Sequence, residues 1–155
     1  MTELCPIEVR LTELGLTLPT PAAPVASYVP AKAAGGLLFV SGQLPMRMGE
    51  VEGGTLGEDT SIEEGAAAAR LCGLMLLAQA RKAVGLDRIV GCVKLDGFVA
   101  CVRGFTDQAK VIDGASGLMQ DVMGEAGRHA RAAVGVPALP LGACVEVAGT
   151  FALTD

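Results

Sequence analysis

Two charged residues stand where an unpaired charge is costly. Arg131 opens the run RAAVGV, among Ala, Val and Gly, and Glu146 lies between Val145 and Val147 in ACVEVAGTFAL. Both runs read as strands. An ion buried in an apolar strand without a partner is strongly destabilising. On a structural reading each side chain points outward, or the two pair as a core ion bridge. On a functional reading, Arg131 faces a cleft and grips a carboxylate through its planar fork of donors. Glu146 then sits across that cleft and handles a water. Burial raises a carboxyl pKa, which suits acid–base work near neutrality. Tyr28, the single Tyr in a chain with 3% aromatic residues, is an edge or interface ring, or a hydroxyl at the site. His129 is the single His, which excludes a His-based metal cluster. A loop His beside a strand is more often structural than a lone general base.

Other chemistries lack their signatures. There is no GxSxG elbow, no Walker A loop, no GxGxxG after a strand and no HExxH. The net charge is −5 and no run of Lys and Arg forms a basic stripe, so nucleic-acid binding has little support. The five Cys are odd in number and show no CxxC spacing. That argues against a disulfide framework or a zinc site and for free buried thiols in a reducing compartment. The N-terminus MTELCPIEVR has no apolar signal core. The most hydrophobic stretch, residues 65–80, contains Arg70 and Gln79 and falls short of the ~20 apolar residues of a membrane span. A cytoplasmic address without membrane attachment is the expectation.

The elements that must position these residues follow from patterning. The 155 residues suit one domain, and 51% of them are hydrophobic. Ala, Val, Leu and Gly dominate, which predicts a tight interior built on close backbone approach. A mean hydropathy of +0.49 leaves apolar surface that a partner subunit would cover. Residues 7–14 place Ile7, Leu11 and Leu14 at helical spacing, with Gly15 as a stop. The following TLPTPAAPVASYVPA holds four Pro and reads as an extended lead-in. LLFVS (37–41) is a buried strand, and Gly35-Gly36 turns a hairpin from a strand near 28–34. Residues 46–60 read as a loop. Ser61-Ile62-Glu63-Glu64 forms a capping box for a long helix over 62–84, ended by Gly85. A strand over 89–99 follows, then a helix over 105–125 weakened by Gly114 and Gly117. Strands over 131–136 and 143–153 close the chain. The order β-β-α-β-α-β-β behind a helical arm gives an α+β sheet with helices on one face.

Three segments together resemble the reactive-intermediate deaminase family, also called the Rid or YjgF family. They are Tyr28 in A-S-Y-V-P-A, the strand and turn LLFVSGQLP (37–45), and the ending ARAAVGVPALPLGACVEV (130–147). The resemblance covers the chain from about Pro21 onward. It divides a single domain, 1–155, into a helical arm and Pro-rich lead-in (1–20) and a Rid-like domain (21–155). It implies a chorismate-mutase-like α+β fold, a homotrimer with three clefts between subunits, and no metal or organic cofactor. It also implies hydrolysis of enamine/imine intermediates such as 2-aminoacrylate to 2-keto acids and ammonia. Carried over by position, Arg131 is the carboxylate-binding arginine and Glu146 the water-positioning glutamate. Tyr28 and Ser41 line the cleft. Backbone groups of Ala132 and Ala133 complete the grip.

The departures from the family pattern lie in the N-terminal helix, in the long region from Cys101 to Gly127, and at three positions of the cleft. His129 replaces a common proline, Ala133 replaces a common cysteine, and Tyr28 follows Ala26-Ser27 instead of Gly-Pro. They imply a divergent branch with a cleft of its own shape. A non-catalytic 2-keto acid binding protein would use the same arginine. An endoribonuclease or translation inhibitor is the weaker alternative. Chorismate mutase chemistry rests on fold analogy alone. The deaminase reading requires the Arg131 guanidinium to reach a pocket shared by protomers. A side chain turned to bulk solvent or locked in an internal ion pair, with no cavity beside it, would leave only the architecture.

Overall fold

The structure, a computed structural model, describes residues 3–24 and 26–155. Met1 and Thr2 of the expected arm and Val25 of the lead-in lie outside the described residues. Helix α1 spans Pro6–Glu13, with Ile7 and Leu11 buried at i, i+4 spacing. Glu8 reaches back to accept the Cys5 backbone N–H at 3.0 Å, closing its first turn. Strands β1 (Ala31–Ala34) and β2 (Leu37–Gln43) form the expected hairpin around Gly35-Gly36. β1 begins after Pro30, so Tyr28 stands in the loop ahead of the strand. The segment expected to be a loop carries a small ladder, β3 (Met46–Arg47) with β4 (Glu50–Val51). Two-residue strands bury too little to leave a pattern in the sequence.

Helix α2 covers Ile62–Val84, the span its caps predict. The Ser61 hydroxyl accepts the Glu64 N–H at 3.1 Å, and the Glu64 carboxylate accepts the Ser61 N–H at 2.8 Å. Strand β5 (Ile89–Ala100), helix α3 (Gln108–Met123), strand β6 (Ala130–Val136) and strand β7 (Val145–Leu153) complete the chain. The main sheet has the order β1-β2-β7-β5-β6. β5 and β6 run parallel and the other pairs are antiparallel. β6 is therefore an edge strand.

Both long helices lie on one face of this sheet, and α1 packs on α3. Alternation sorts the strand residues: Leu38, Val40, Leu95, Val99, Val145, Val147 and Phe151 are buried toward the helices. The helices supply Met75, Leu76, Ile112, Leu118 and Met119 to the same core. Gly114, which weakens α3 by propensity, has a packing role. A Cβ there would overlap the backbone carbonyl of Ala66, so α2 and α3 approach to backbone contact at this point. The other sheet face has no helix over it. There Phe39, Val90 and Val134 are 47–51% exposed. Among the described residues, no helix is long and apolar enough to cross a membrane.

Candidate functional site

The register between β2 and β7 slips once. Val40 faces Gly149 and Gln43 faces Val147, so β2 carries one extra residue as a bulge around Ser41-Gly42. The bulge lays Gly42 against the Glu146 carboxylate so closely that a Cβ would overlap its Oε1. Glu146 alternates with the buried Val145 and Val147 and so lies on the face away from the helices. It joins Tyr28, Gly42, Gln43, Gln79 and Leu141 in lining a cavity of about 210 Å³. Among the described residues no donor is hydrogen-bonded to the Glu146 carboxylate. Partial burial raises its pKa from the ordinary carboxyl value.

Buried amides fix the floor of this cavity. Gln79 Nε2 donates to the Ala22 carbonyl at 2.8 Å and to Gln43 Oε1 at 3.2 Å. Gln43 Nε2 donates to the Ser41 carbonyl at 2.8 Å. Neither glutamine was singled out from sequence, although Gln79 stands as the polar break in the apolar centre of α2. Ser41 does not line the cavity. Its hydroxyl donates to the Val29 carbonyl at 2.8 Å and its N–H to the Pro30 carbonyl at 2.9 Å. Ser41 thus fastens the loop that carries Tyr28, which is half exposed at the cavity.

Arg131 lies elsewhere. On β6 it is in register with Leu95, and its side chain turns toward α3. Nη1 donates to Asp113 Oδ1 at 2.7 Å and to Ser116 Oγ at 3.1 Å, and Nη2 donates to the Ala109 carbonyl at 3.2 Å. Ser116 Oγ is 2.8 Å from His129 Nε2, and His129 Nδ1 is 2.7 Å from the Gly127 carbonyl. Ala133, two residues on, is partly buried and packs against the core.

The two charges do not meet within one chain. Glu146 is in register with Phe98 on β5, and Phe98 with Val134 on β6, three residues past Arg131. At about 4.8 Å per strand and 3.3 Å per residue, the two Cα atoms are on the order of 14 Å apart, with side chains on opposite faces. The core ion bridge between them, the structural reading of the sequence, is therefore not formed. The Arg131 guanidinium is held in an ion pair and is not among the residues lining the Glu146 cavity. That pair sits at the edge of the sheet and not inside it: the side chains of Arg131 and Asp113 are 21% and 67% exposed.

The pattern of the family described as "YjgF/chorismate_mutase-like, putative endoribonuclease" matches residues 8–152. The chain belongs to this YjgF family. A curated relative, Protein TCP17 of Trypanosoma cruzi, is 47% identical over 144 residues, covering 91% of this chain and 90% of its own. A solved protein of unknown function from Agrobacterium tumefaciens is 46% identical, with a TM-score of 0.89 and coverage of 96% and 93%. A Shewanella oneidensis protein described as a "putative endoribonuclease" is 38% identical, with a TM-score of 0.92 and coverage of 97% and 100%. The YjgF gene product of E. coli is 27% identical, with a TM-score of 0.64 over 90% and 96% of the two chains. The lower value against this last YjgF protein fits a divergent branch.

Proposed function

We propose that the chain is a hydrolytic deaminase of small enamine/imine carboxylates of the 2-aminoacrylate kind, acting at clefts between the subunits of a homotrimer. The observation that carries this is the division of the charged groups. One region has a cavity with an acid and a tyrosine but no cation in its lining. Another has a guanidinium on an exposed edge strand, outside that cavity. Each region lacks what the other offers, and the apolar uncovered sheet face supplies a reason for self-association.

In such a cleft Arg131 of one subunit would bind the substrate carboxylate, and Glu146 of the next would orient a water. The imine carbon is already electrophilic, so positioning supplies most of the effect. Glu146 takes a proton from the water as its oxygen adds to the carbon of the C=N bond. An enamine reaches this C=N form by taking a proton from solvent at its β-carbon. After addition Glu146 returns the water proton to the carbinolamine nitrogen. Ammonia leaves as the C–N bond breaks, and the hydroxyl proton passes back to solvent as the C=O of the 2-keto acid forms. The raised pKa of Glu146 suits it to both transfers.

Ammonia release from freshly generated 2-aminoacrylate tests this reading. Turnover by the wild type, lost in Arg131→Ala, supports it, and undiminished turnover in that variant removes Arg131 from the site. Tight 2-keto acid binding without turnover favours the non-catalytic binder. The endoribonuclease reading draws on the family description and the names of relatives, against a net charge of −5. A salt-dependent RNA shift would favour it.

A further inference from the structure

The contacts behind Arg131 form a chain whose polarity follows once the imidazole of His129 is taken as neutral. The Gly127 carbonyl can only accept, so His129 Nδ1 carries the hydrogen of their 2.7 Å contact. A neutral imidazole then leaves Nε2 as an acceptor. The Ser116 hydroxyl donates to it across 2.8 Å. With its proton so directed, Ser116 Oγ turns a lone pair toward Arg131 Nη1 at 3.1 Å. Every link from the Gly127 carbonyl to the guanidinium is matched in donor and acceptor. Ser116 is 6% exposed, so its geometry is set by the interior.

Asp113 is the other partner of Nη1, but it is mostly exposed and its hold is weakened by solvent. Ala109 offers a backbone carbonyl to Nη2. Three of the five guanidinium N–H groups are thus committed to α3. Nε–H and the second hydrogen of Nη2 remain, and among the described residues no acceptor engages them.

We infer that Ser116 and His129 are positioning residues for Arg131, holding its guanidinium by the Nη1 corner so that Nε–H and Nη2–H stay oriented for an incoming carboxylate. This rests on the proposed role of Arg131. The function is to pre-pay the ordering of a long, rotamer-rich side chain before the ligand arrives. Neither residue touches the reacting atoms.

The test reads the side chain directly and separately from activity. The Arg131 Nε–H resonance of 15N-labelled protein, assigned by its loss in Arg131→Lys, is followed by heteronuclear NOE. Ser116→Ala and His129→Phe should each lower that NOE toward values of a mobile side chain. Each should also raise KM for the enamine substrate about tenfold while kcat changes little, as expected for losing one hydrogen bond to a charged group. His129→Gln, whose side-chain oxygen can accept the Ser116 proton, should recover most of both. Thermal melts of Ser116→Ala, which removes a single buried oxygen, check that the fold is kept. An unchanged NOE and KM in both Ser116→Ala and His129→Phe overturns the inference. A wild type that neither binds 2-keto acids nor turns over substrate, with an NOE that still falls in the variants, upholds the positioning and refutes the deaminase.

Discussion

Glu146 owes its character to its neighbours. The desolvated carboxyl has a pKa raised above that of the unfolded chain. Between those two values the folded form binds more protons, so its stability falls as pH rises through that window. Glu146→Gln removes this loss. Thermal melts across pH should show the variant gaining on the wild type above about pH 4.3, the ordinary carboxyl value, with no difference below it. A wild type equal to the variant at neutral pH would show a cation offsetting the burial of Glu146, as Arg131 of a neighbouring subunit would in the proposed cleft. Gly42 shapes the same group. Gly42→Ala puts a methyl where the carboxylate lies, and kcat should fall by as much as about 100-fold while the melting temperature moves little. The sequence revealed Glu146 and Arg131 as charges in apolar strands. It did not reveal which face each takes, because β7 and β6 contribute opposite faces and a strand's alternation has no absolute sign. Asp113 and Ser116, the partners of Arg131, lie 18 and 15 residues before it on another element, beyond any local pattern.

At the scale of elements, strong local signals carried through. The Ser61–Glu64 box and Gly85 bound α2 at the residues the sequence indicates. Helix α3 is shorter than expected, Gln108–Met123, since the chain tightens into a 3-10 turn at Gly124–Gly127. The bulge in β2 was not legible: nothing in LLFVSGQ marks where one residue is skipped, yet that slip sets Gly42 over Glu146. The two glycines of α3 look alike by propensity and differ in packing. A Cβ at Gly114 would overlap the Ala66 carbonyl, whereas at Gly117 it meets nothing within 4 Å. Gly114→Ala should therefore destabilise by roughly 1–3 kcal/mol through overpacking. Gly117→Ala should stabilise by about 0.5–1 kcal/mol through helix propensity alone. Urea midpoints of the two variants separate these signs, and a shared sign would mean that α2 and α3 do not touch at Gly114.

For the whole molecule, the separation of Arg131 from Glu146 makes assembly part of the chemistry proposed. Arg131→Ala and Glu146→Gln should each be inactive alone. Mixed by co-refolding in equal amounts, they should regain about a quarter of wild-type activity. Three quarters of random trimers are mixed, and each mixed trimer has one of its three clefts intact. A site contained in one chain would regain nothing. Sequence composition leads to an expectation of self-association through its surplus of apolar residues, and the exposed apolar face that would serve it is spread over β2, β5 and β6, which no single segment displays. Among the described residues, no Lys, Arg or His lines the cavity around Glu146. In the proposed trimer this cavity gains a cation only from Arg131 of the neighbouring subunit, so a lone subunit would hold the two halves of the grip apart. Under that proposal, completing the site and joining the subunits would be one and the same event.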